Sequence, residues 1–386
     1  MSDSPEPNPI LNNPYQEPER HYRTHSDGTL DYDHIEQGRR LFVPMNAPMP
    51  AKNRSGQGQI FGVNESQGQY EQHLINYLRR EISRWREAQY PGVTKVSREL
   101  LAFWFLNDSR TAIRNLFFAQ REAIETAIWL NEVAETSNPG GFALNQLRNA
   151  RKLLDVTNGS NSPLEAHEQL PRTAFKMATG TGKTVVMAAL IVYHYFNRSE
   201  NLQDTRFADY FLIITPGITI RDRLMVLKVD GQAPKNQRKD YYAVRDLVPH
   251  AFEHLLPGLN QRLKIINYHQ LQRRALEGNK RTPTAGKVVA HTEDGKPIKD
   301  KNLEDYKHMV ARVLNGFREK SRLLILNDEA HHCYKPLSKG KTRDTENDEN
   351  ARAAMWFTGL AEINRRFKVQ NIYDLSATPY YLKGSG

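Results

Sequence analysis

The stretch Met177-Ala-Thr-Gly-Thr-Gly-Lys-Thr184 decides the fold, because it has the composition and spacing of a phosphate-binding loop. The apolar run Ala174–Met177 predicts a strand that leads into it, and the apolar segment Val185–Phe196 predicts a helix that follows it. This is the context such a loop requires, since a helix N-terminus adds a favourable dipole for phosphate. The strict pattern has glycine at the position of Met177, so one element departs from it.

The loop residues have distinct expected roles in holding a nucleotide. The Lys183 ammonium is expected to reach the β- and γ-phosphates, and the Thr184 hydroxyl is expected to ligate Mg²⁺. Glycines allow backbone N–H groups to turn onto the phosphates, where a Cβ would obstruct the approach. The predicted ligands are ATP and Mg²⁺, and the predicted nucleotide-binding set also contains Thr179, Gly180, Thr181 and Gly182.

From Arg172 the chain consists of short apolar runs separated by helix-length segments, and residues 166–386 are predicted to form one lobe. Such runs are typical of buried parallel strands, and the intervening lengths suit βαβ crossovers. The fold class is therefore α/β, with a mainly parallel sheet flanked by helices and an insertion near 272–320, where a Gly-, Lys- and Thr-rich interval breaks the alternation. The predicted strands are Ala174–Met177, Tyr210–Thr215, Leu263–Asn267, Leu323–Asn327 and Ile372–Leu375.

A second motif, Leu323-Leu-Ile-Leu-Asn-Asp-Glu-Ala-His-His332, places two adjacent carboxylates after a buried strand. Ligands of open α/β sheets bind at the carboxyl ends of the strands, so these groups are expected to face the phosphate loop. Asp328 is expected to hold the water shell of Mg²⁺, and Glu329 to orient and deprotonate the attacking water. Together with Lys183 they form the predicted catalytic set. A strand that ends in Asp-Glu is common by itself; its place downstream of a phosphate loop gives it meaning.

Two further motifs are weaker when they stand alone. The tetrapeptide Ser376-Ala-Thr-Pro379 is an ordinary turn before proline, and its value lies in its order after the acidic pair. The cluster His331-His332-Cys333 suggests a metal, but three consecutive residues cannot all face one tetrahedral ion, and no second ligand pair has the spacing of a zinc site.

The N-terminal part differs in composition from the rest of the chain. Residues 1–65 are rich in Pro, Asn, Gly and Gln, and we expect them to be irregular, with short extended pieces such as Arg40-Leu-Phe-Val43. Residues 66–165 show helical spacing at Leu74, Leu78, Ile82 and Trp85, and then at Ser97–Leu106 and Thr111–Val133. They are expected to form a helical accessory region.

The positive net charge of the chain favours a polyanionic partner. The formal net charge is +10, and residues 217–320 contain 21 Lys and Arg against 12 Asp and Glu, although such a stretch is also found as an ordinary solvated face. A single cysteine excludes an internal disulfide framework and fits a reducing, cytoplasmic compartment. No apolar run reaches the roughly 18 residues of a membrane span, and the N-terminus lacks the pattern of a signal peptide.

The three motifs, taken in order, resemble motifs I, II and III of the DEAD/DEAH-box helicase superfamily (superfamily two). More narrowly, Thr215-Pro-Gly-Ile-Thr-Ile-Arg-Asp-Arg-Leu224 and Asn327-Asp-Glu-Ala-His-His-Cys-Tyr334 resemble the restriction (Res) subunit of type III restriction enzymes. Asn13-Pro-Tyr-Gln-Glu-Pro-Glu-Arg-His-Tyr22 and Glu81-Ile-Ser-Arg-Trp-Arg-Glu87 resemble the N-terminal region of Res-like endonucleases. The resemblance implies a RecA-like lobe that hydrolyses Mg-ATP and moves along DNA.

The resemblance also implies residue roles outside the three motifs. Phe118-Ala-Gln-Arg-Glu122 is similar to an adenine-recognising segment, so Gln120 would pair with the adenine edge. Asn267-Tyr-His269 is similar to a second strand-contacting motif. Thr219, Arg221 and Arg223 would touch the DNA backbone, while His331, His332, Ser376 and Thr378 would couple the nucleotide site to lobe movement. For Gln120 and the DNA contacts, the competing interpretation is an ordinary solvated side chain.

Proteins of this family also contain a second RecA-like lobe and a nuclease domain, and neither pattern is found before Gly386. The sequence therefore predicts an N-terminal portion with weak hydrolysis of its own, because arginine fingers of a second lobe contribute roughly 10³–10⁵-fold to the rate in related systems. The expected partners are DNA and either a modification (methyltransferase) subunit or a separately encoded second lobe. The alternatives are a nucleotide-dependent DNA-binding or assembly module of a split motor, the motor of a type I restriction or DNA-repair helicase, and a non-functional remnant.

Overall fold

The structure is a computed structural model. It describes residues 10–25, 29–42, 74–110, 114–145, 170–276, 286–291, 297–299, 302–330 and 344–377.

The described N-terminal residues contain a β-hairpin and several helices, including a helical stretch at 138–145. Strands β1 (Arg20–Thr24) and β2 (Leu30–Gln37) pair in antiparallel register. The expectation of an irregular segment is wrong here, because both strands are mostly exposed and therefore show no apolar alternation. Of the predicted extended piece at 40–43, residues 40–42 have no regular structure and residue 43 lies outside the described ranges. Helices α1 (Leu74–Glu87), α2 (Lys95–Phe105) and α3 (Phe118–Ile128, extended by a π-helical turn at Trp129–Val133) follow.

Helix α3 begins later than the periodicity predicts. Phe117 is its N-cap, with φ −60° and ψ 150°, so the chain is extended immediately before the helix. At the start of the helix, the guanidinium groups of Arg39 and Arg86 lie over the Phe118 ring, 5.5 and 5.0 Å from its centre. The Phe118 N–H donates to the Pro14 carbonyl over 2.8 Å. Pro14 and Arg39, from the N-terminal segment, thus contact the helix that carries Gln120.

The centre of the molecule is a fully parallel five-stranded sheet. Its strands are β3 (Arg172–Lys176), β4 (Tyr210–Thr215), β5 (Leu263–Asn267), β8 (Arg322–Asp328) and β9 (Lys368–Ser376), in the spatial order β3-β9-β8-β4-β5. The predicted bounds of β4 and β5 are confirmed in full, and the other three strands are found within one to four residues of their predicted ends. The α/β fold class and the RecA-like lobe are confirmed.

Helices and short turns cover both faces of the sheet. The loop helix α4 (Lys183–Glu200) is buried from Val185 to Asn197. It packs between one face of the sheet and the N-terminal helices, so these helices share one core with the lobe. The remaining elements near the sheet are α5 (Ile218–Arg223), α6 (Tyr241–Val244) and the 3₁₀ segments Leu224–Leu227, Lys235–Gln237, His250–Gln261 and Tyr268–Leu271.

The predicted insertion is shorter than 272–320. It contains a small antiparallel pair, β6 (Val288–His291) with β7 (Pro297–Lys299). Helix α7 (Tyr306–Val313) is not part of it. Its residues Met309 and Val310 are buried in a second hydrophobic core, separate from the core around α4, together with Trp356 of helix α8 (Asp344–Arg366). Within the described ranges, none of the helices combines the length and apolarity needed to cross a membrane.

Candidate active site

The carboxyl edge of the sheet brings the sequence motifs together. All five strands are parallel, so their C-terminal ends meet at one edge, where ligands of open α/β sheets bind. The register places Lys176 opposite Ser376 and Asp328 opposite Leu375. The phosphate loop, the acidic pair and the start of the third motif therefore lie on three neighbouring strands.

The phosphate loop leaves β3 in the conformation that its glycines permit. Gly180 and Gly182 have φ of 82° and 84°, in the left-handed region that favours glycine. A short turn precedes Gly182, because the Thr181 hydroxyl donates to the Ala178 carbonyl over 2.7 Å. Gly182 caps α4, which begins at Lys183. The loop therefore places a helix N-terminus, with its unpaired N–H groups, where phosphates would bind.

Gln120 is buried against this loop rather than exposed on a helix surface. Its Nε2 donates to the Thr181 carbonyl over 2.9 Å, and its Oε1 accepts the Phe117 N–H over 3.0 Å. Each end of the amide thus has a protein partner, which links α3 to the loop. Recognition of adenine by Gln120 stays a prediction, and it would use the second amide hydrogen or the second lone pair of Oε1.

The packing of Gln120 makes Gly182 harder to replace than Gly180. A Cβ at Gly182 would lie 2.1 Å from Gln120 Nε2, whereas a Cβ at Gly180 would meet no atom within 4 Å. Both positions have positive φ, so alanine is strained equally at each. We expect Gly182→Ala to lower the free energy of unfolding more than the matched control Gly180→Ala, by about 1–3 kcal/mol.

Chemical denaturation of the two variants would measure this difference. Adding Gln120→Ala should return Gly182→Ala to the level of Gly180→Ala with Gln120→Ala, because the clashing group is gone. Equal stability of the two single variants would contradict the packing of Gln120 against the loop.

The loop lysine meets the acidic motif directly. Lys183 Nζ lies 3.1 Å from Glu329 Oε1, with the two side chains 12% and 27% exposed. Glu329 has φ of 52°, a left-handed conformation that costs a non-glycine residue about 1–3 kcal/mol and that is found mainly at functional sites. The ion pair compensates the charges of both side chains.

Asp328 is a buried carboxyl group of the site with a raised pKa. Burial, reinforced by the neighbouring Glu329 charge, raises its pKa from 3.8 to about 6, although Lys183 and Arg223 act in the opposite direction. The side chain lies at the C-terminal end of β8 and is only 8% exposed. A desolvated carboxylate beside a second one suits a divalent cation, which would compensate both charges. Asp328 and Thr184 fit the oxygen ligands that Mg²⁺ requires.

The raised pKa of Asp328 gives a prediction for stability. Because the folded pKa exceeds the unfolded one, this carboxyl favours folding fully below about pH 4, and its contribution is lost as the pH rises through about 6. Near neutral pH the buried charge is therefore unfavourable. We expect Asp328→Asn to raise the free energy of unfolding of the nucleotide-free chain by about 1–3 kcal/mol at neutral pH.

Urea unfolding across the pH range would test this expectation. The difference between Asp328→Asn and the parent chain should shrink as the pH falls through 6. A variant less stable than the parent at neutral pH would show that the Asp328 charge is compensated. The same substitution should remove the ability of Mg²⁺ to strengthen nucleotide binding, since an amide is a poor Mg²⁺ ligand in this setting.

The predicted DNA contacts lie on α5, directly after β4 at the same edge. Thr219 and Arg223 are exposed, and Arg221 is half-buried. The Arg221 guanidinium pairs with the neighbouring Asp222 at 2.9 Å, so its charge is shared. Arg223 is near enough to lower the pKa of Asp328, which places it at the rim of the nucleotide site. A role in DNA binding stays a prediction for all three.

Other predicted residues are divided between the described and undescribed parts of the chain. Ser376 is buried, and its carbonyl accepts the Met177 N–H over 3.0 Å, which joins the third motif to the start of the phosphate loop. Tyr268 stacks on Trp356 with ring centres 5.3 Å apart, so it is a core residue rather than an exposed contact. His331, His332 and Thr378 lie outside the described residues, and their coupling role stays a prediction.

Two features of the site were not predicted from the sequence. The ion pair of Lys183 with Glu329 joins two residues to which separate roles were given. The buried network of Arg172, Asn327 and Asp374 was not predicted either, because each residue taken singly is compatible with a strand. The polar residues Asn327 and Asp374 inside apolar runs were the available signal, since a buried strand interior seldom holds polar side chains without a partner.

A fully parallel sheet, a phosphate loop after its edge strand and an acidic pair after a central strand define a helicase-like ATP-binding domain of the superfamily-two type. The family model described as type III restriction enzyme, res subunit, matches residues 115–381. The chain belongs to this family, as the motifs predict. A search of curated proteins and a search of solved structures each gave no match.

Proposed function

We propose that this chain is an ATP-hydrolysing motor that moves along DNA as part of a type III-like restriction endonuclease. The observation that carries the proposal is the 3.1 Å contact between Lys183 and Glu329. It brings a phosphate-binding cation and a candidate general base together at the mouth of one site, although the two residues come from distant parts of the sequence. A purely structural ion pair would not need the phosphate loop around it.

The ion pair also suggests the order in which Lys183 and Glu329 act during the reaction. A triphosphate in the loop would attract the Lys183 ammonium, and Glu329, released from Lys183, would then orient water and take its proton. Mg²⁺, when bound, neutralises phosphate charge. Asp328 and Thr184 are the residues that would hold it, and Asp328 is ionised for this task above about pH 6, the value to which its pKa is raised.

Coupling to DNA is the second part of the proposal. The α5 residues Thr219, Arg221 and Arg223 lie at the carboxyl edge of the sheet, beside the nucleotide site. A DNA backbone held there would be close to the acidic pair. Hydrolysis of the nucleotide would then alter the contacts between α5 and DNA. Cleavage of DNA and a modification subunit as partner belong to the same proposal, which the family supports.

Nucleotide titration of the purified chain tests the proposal. A fluorescent ATP analogue should bind saturably, Mg²⁺ should strengthen the binding, and duplex DNA should increase phosphate release. Absence of binding, or a parent chain that binds no better than Lys183→Ala, would refute the nucleotide site. Binding without any response to DNA would refute the motor and leave an ATP-binding module.

The DNA contacts can be tested separately from hydrolysis. Replacing Arg221 and Arg223 by alanine should weaken binding to a fluorescent duplex by about tenfold at low salt, and it should lower the salt slope by roughly 2, because each lost phosphate contact removes about one released counterion. Asp222→Ala is the matched control, since it frees the Arg221 guanidinium from its partner and should strengthen binding. An arginine variant with an unchanged salt slope would place the DNA elsewhere.

A further inference from the structure

A buried polar network joins three neighbouring strands next to the carboxyl edge of the sheet. Asp374 on β9 lies opposite Asn327 on β8 in the parallel register. Its Oδ1 accepts a 2.6 Å hydrogen bond from Asn327 Nδ2, and its Oδ2 accepts a 2.6 Å hydrogen bond from Arg172 Nε on β3. Side chains therefore connect the strands that carry all three nucleotide motifs.

Burying this polar network costs more free energy than placing apolar residues at the same positions of the sheet. Asn327 is fully buried and Asp374 is 2% exposed, and burial raises the pKa of the Asp374 carboxyl although Arg172 and Asn327 oppose the shift. Apolar residues of similar size often stabilise a core as well as a buried ion pair does. The Asn327 Oδ1 has no hydrogen-bond partner, which adds a cost of about 1–3 kcal/mol. Stability alone is therefore a poor explanation for these residues.

The place of the pair in the chain suggests what it does. Asn327 immediately precedes Asp328. Asp374 comes two residues before Ser376, whose carbonyl holds the Met177 N–H at the start of the phosphate loop. Strand β9 is thus tied to the loop on one side and to the acidic motif on the other. The amide can donate to the carboxylate only through Nδ2, so the pair fixes one orientation.

We propose that Asn327 and Asp374 are positioning residues. They fix the position of Asp328 along β8 relative to the phosphate loop, so that Asp328 and Thr184 can reach the same Mg²⁺. The inference rests on the proposed function, because it assigns a task within that site. A slip of one residue along a strand moves a side chain by about 3.3 Å, whereas Mg²⁺ holds its oxygen ligands at about 2.0–2.1 Å. Backbone pairing alone permits smaller shear movements, which a side-chain bond across β8 and β9 resists.

The informative substitution is Asn327→Leu. Leucine has nearly the size and shape of asparagine but no hydrogen-bond donor, so the bond to Asp374 is lost at any pH. The measurement is the affinity of a fluorescent ATP analogue in EDTA and again in Mg²⁺. We expect the strengthening by Mg²⁺ to fall by about tenfold, with a much smaller change of the affinity in EDTA.

Two further variants distinguish a positioning role from a general effect on stability. One exchanges the carboxylate and the amide and so preserves the charge, and the other is a control at a distance from the site. The double variant Asn327→Asp with Asp374→Asn again pairs one carboxylate with one amide, and it should recover most of the Mg²⁺ effect. Ser97→Ala breaks another buried hydrogen bond, to Glu132 over 2.5 Å, in the N-terminal helical region. It should lower the melting temperature without changing the ratio of the two affinities.

The outcomes distinguish this inference from the function on which it rests. A parent chain that binds no Mg-nucleotide would refute both. A parent chain that responds to Mg²⁺, with an Asn327→Leu variant that folds and responds equally, would refute the positioning role alone. Equal losses with and without Mg²⁺, not rescued by the swap, would show that the network only stabilises the sheet.

Discussion

Replacement of Glu329 by glutamine should leave the chain able to bind Mg-ATP while slowing hydrolysis by about 10²–10⁴-fold, the usual contribution of a general base. Glutamine keeps the size of the side chain and can still accept a hydrogen bond from Lys183, but it cannot take a proton from water. The substitution leaves burial, the main cause of the raised pKa of Asp328, in place and removes only the smaller contribution of the Glu329 charge, so Asp328 stays available to the metal.

Two measurements on the same preparation would check this result. Single-turnover hydrolysis gives the rate, and the lifetime of labelled nucleotide on the protein after rapid gel filtration shows trapping. A variant that hydrolyses at the parent rate would remove Glu329 from the chemistry. A variant that no longer binds would mean that the ion pair with Lys183 builds the site rather than acting in it.

Lys183→Ala is the variant with the second large expected effect. The lysine is the only side chain of the loop with a positive charge, and a charge-assisted contact to phosphate contributes about 1.5–3 kcal/mol, so affinity should fall by about 10–100-fold. Glu329 would also be left beside the phosphates without its counter-charge, which increases the loss. Binding measured by fluorescence titration should drop below detection at low nucleotide concentration.

Lys176→Ala is the matched control for this loss. Lys176 is exposed at the end of β3, only a few residues upstream, and it takes no part in the proposed site. Its removal takes away the same charge from the same neighbourhood and should change the affinity little. If both variants lost affinity equally, general electrostatic attraction would explain the effect, and the assignment of Lys183 to the phosphates would be wrong.

Local signals in the sequence were sufficient to predict the lobe. Continuous apolar runs such as Tyr210–Thr215 can be buried on both faces only in a covered parallel sheet, and the glycines of the loop have few other uses. The order of the strands in the sheet and the partners of individual side chains depend on contacts between distant residues. Gln120 illustrates this limit, because its resemblance to an adenine-binding residue gave no indication that its amide holds the Thr181 carbonyl.

The missed features have a common physical cause. The hairpin Arg20–Thr24 with Leu30–Gln37 is exposed, so its strands lack the apolar alternation by which strands are detected. The pair Asn327 and Asp374 is the opposite case, since polar residues were hidden within runs that were interpreted only as apolar. In both cases the structure depends on an interaction between residues that are separated in sequence, and the neighbouring residues in the sequence do not indicate it.

The order of strands in the central sheet has a consequence for biosynthesis. Among the described strands, β3 pairs only with β9, and β9 is the last of them to leave the ribosome. A growing chain thus holds its phosphate-loop strand without a neighbour until about two hundred further residues have been made. Such distant pairing is slow, and it leaves the apolar helix α4 exposed to aggregation in the meantime. We therefore expect folding of this protein during translation to depend on chaperones that shield α4 until β9 arrives.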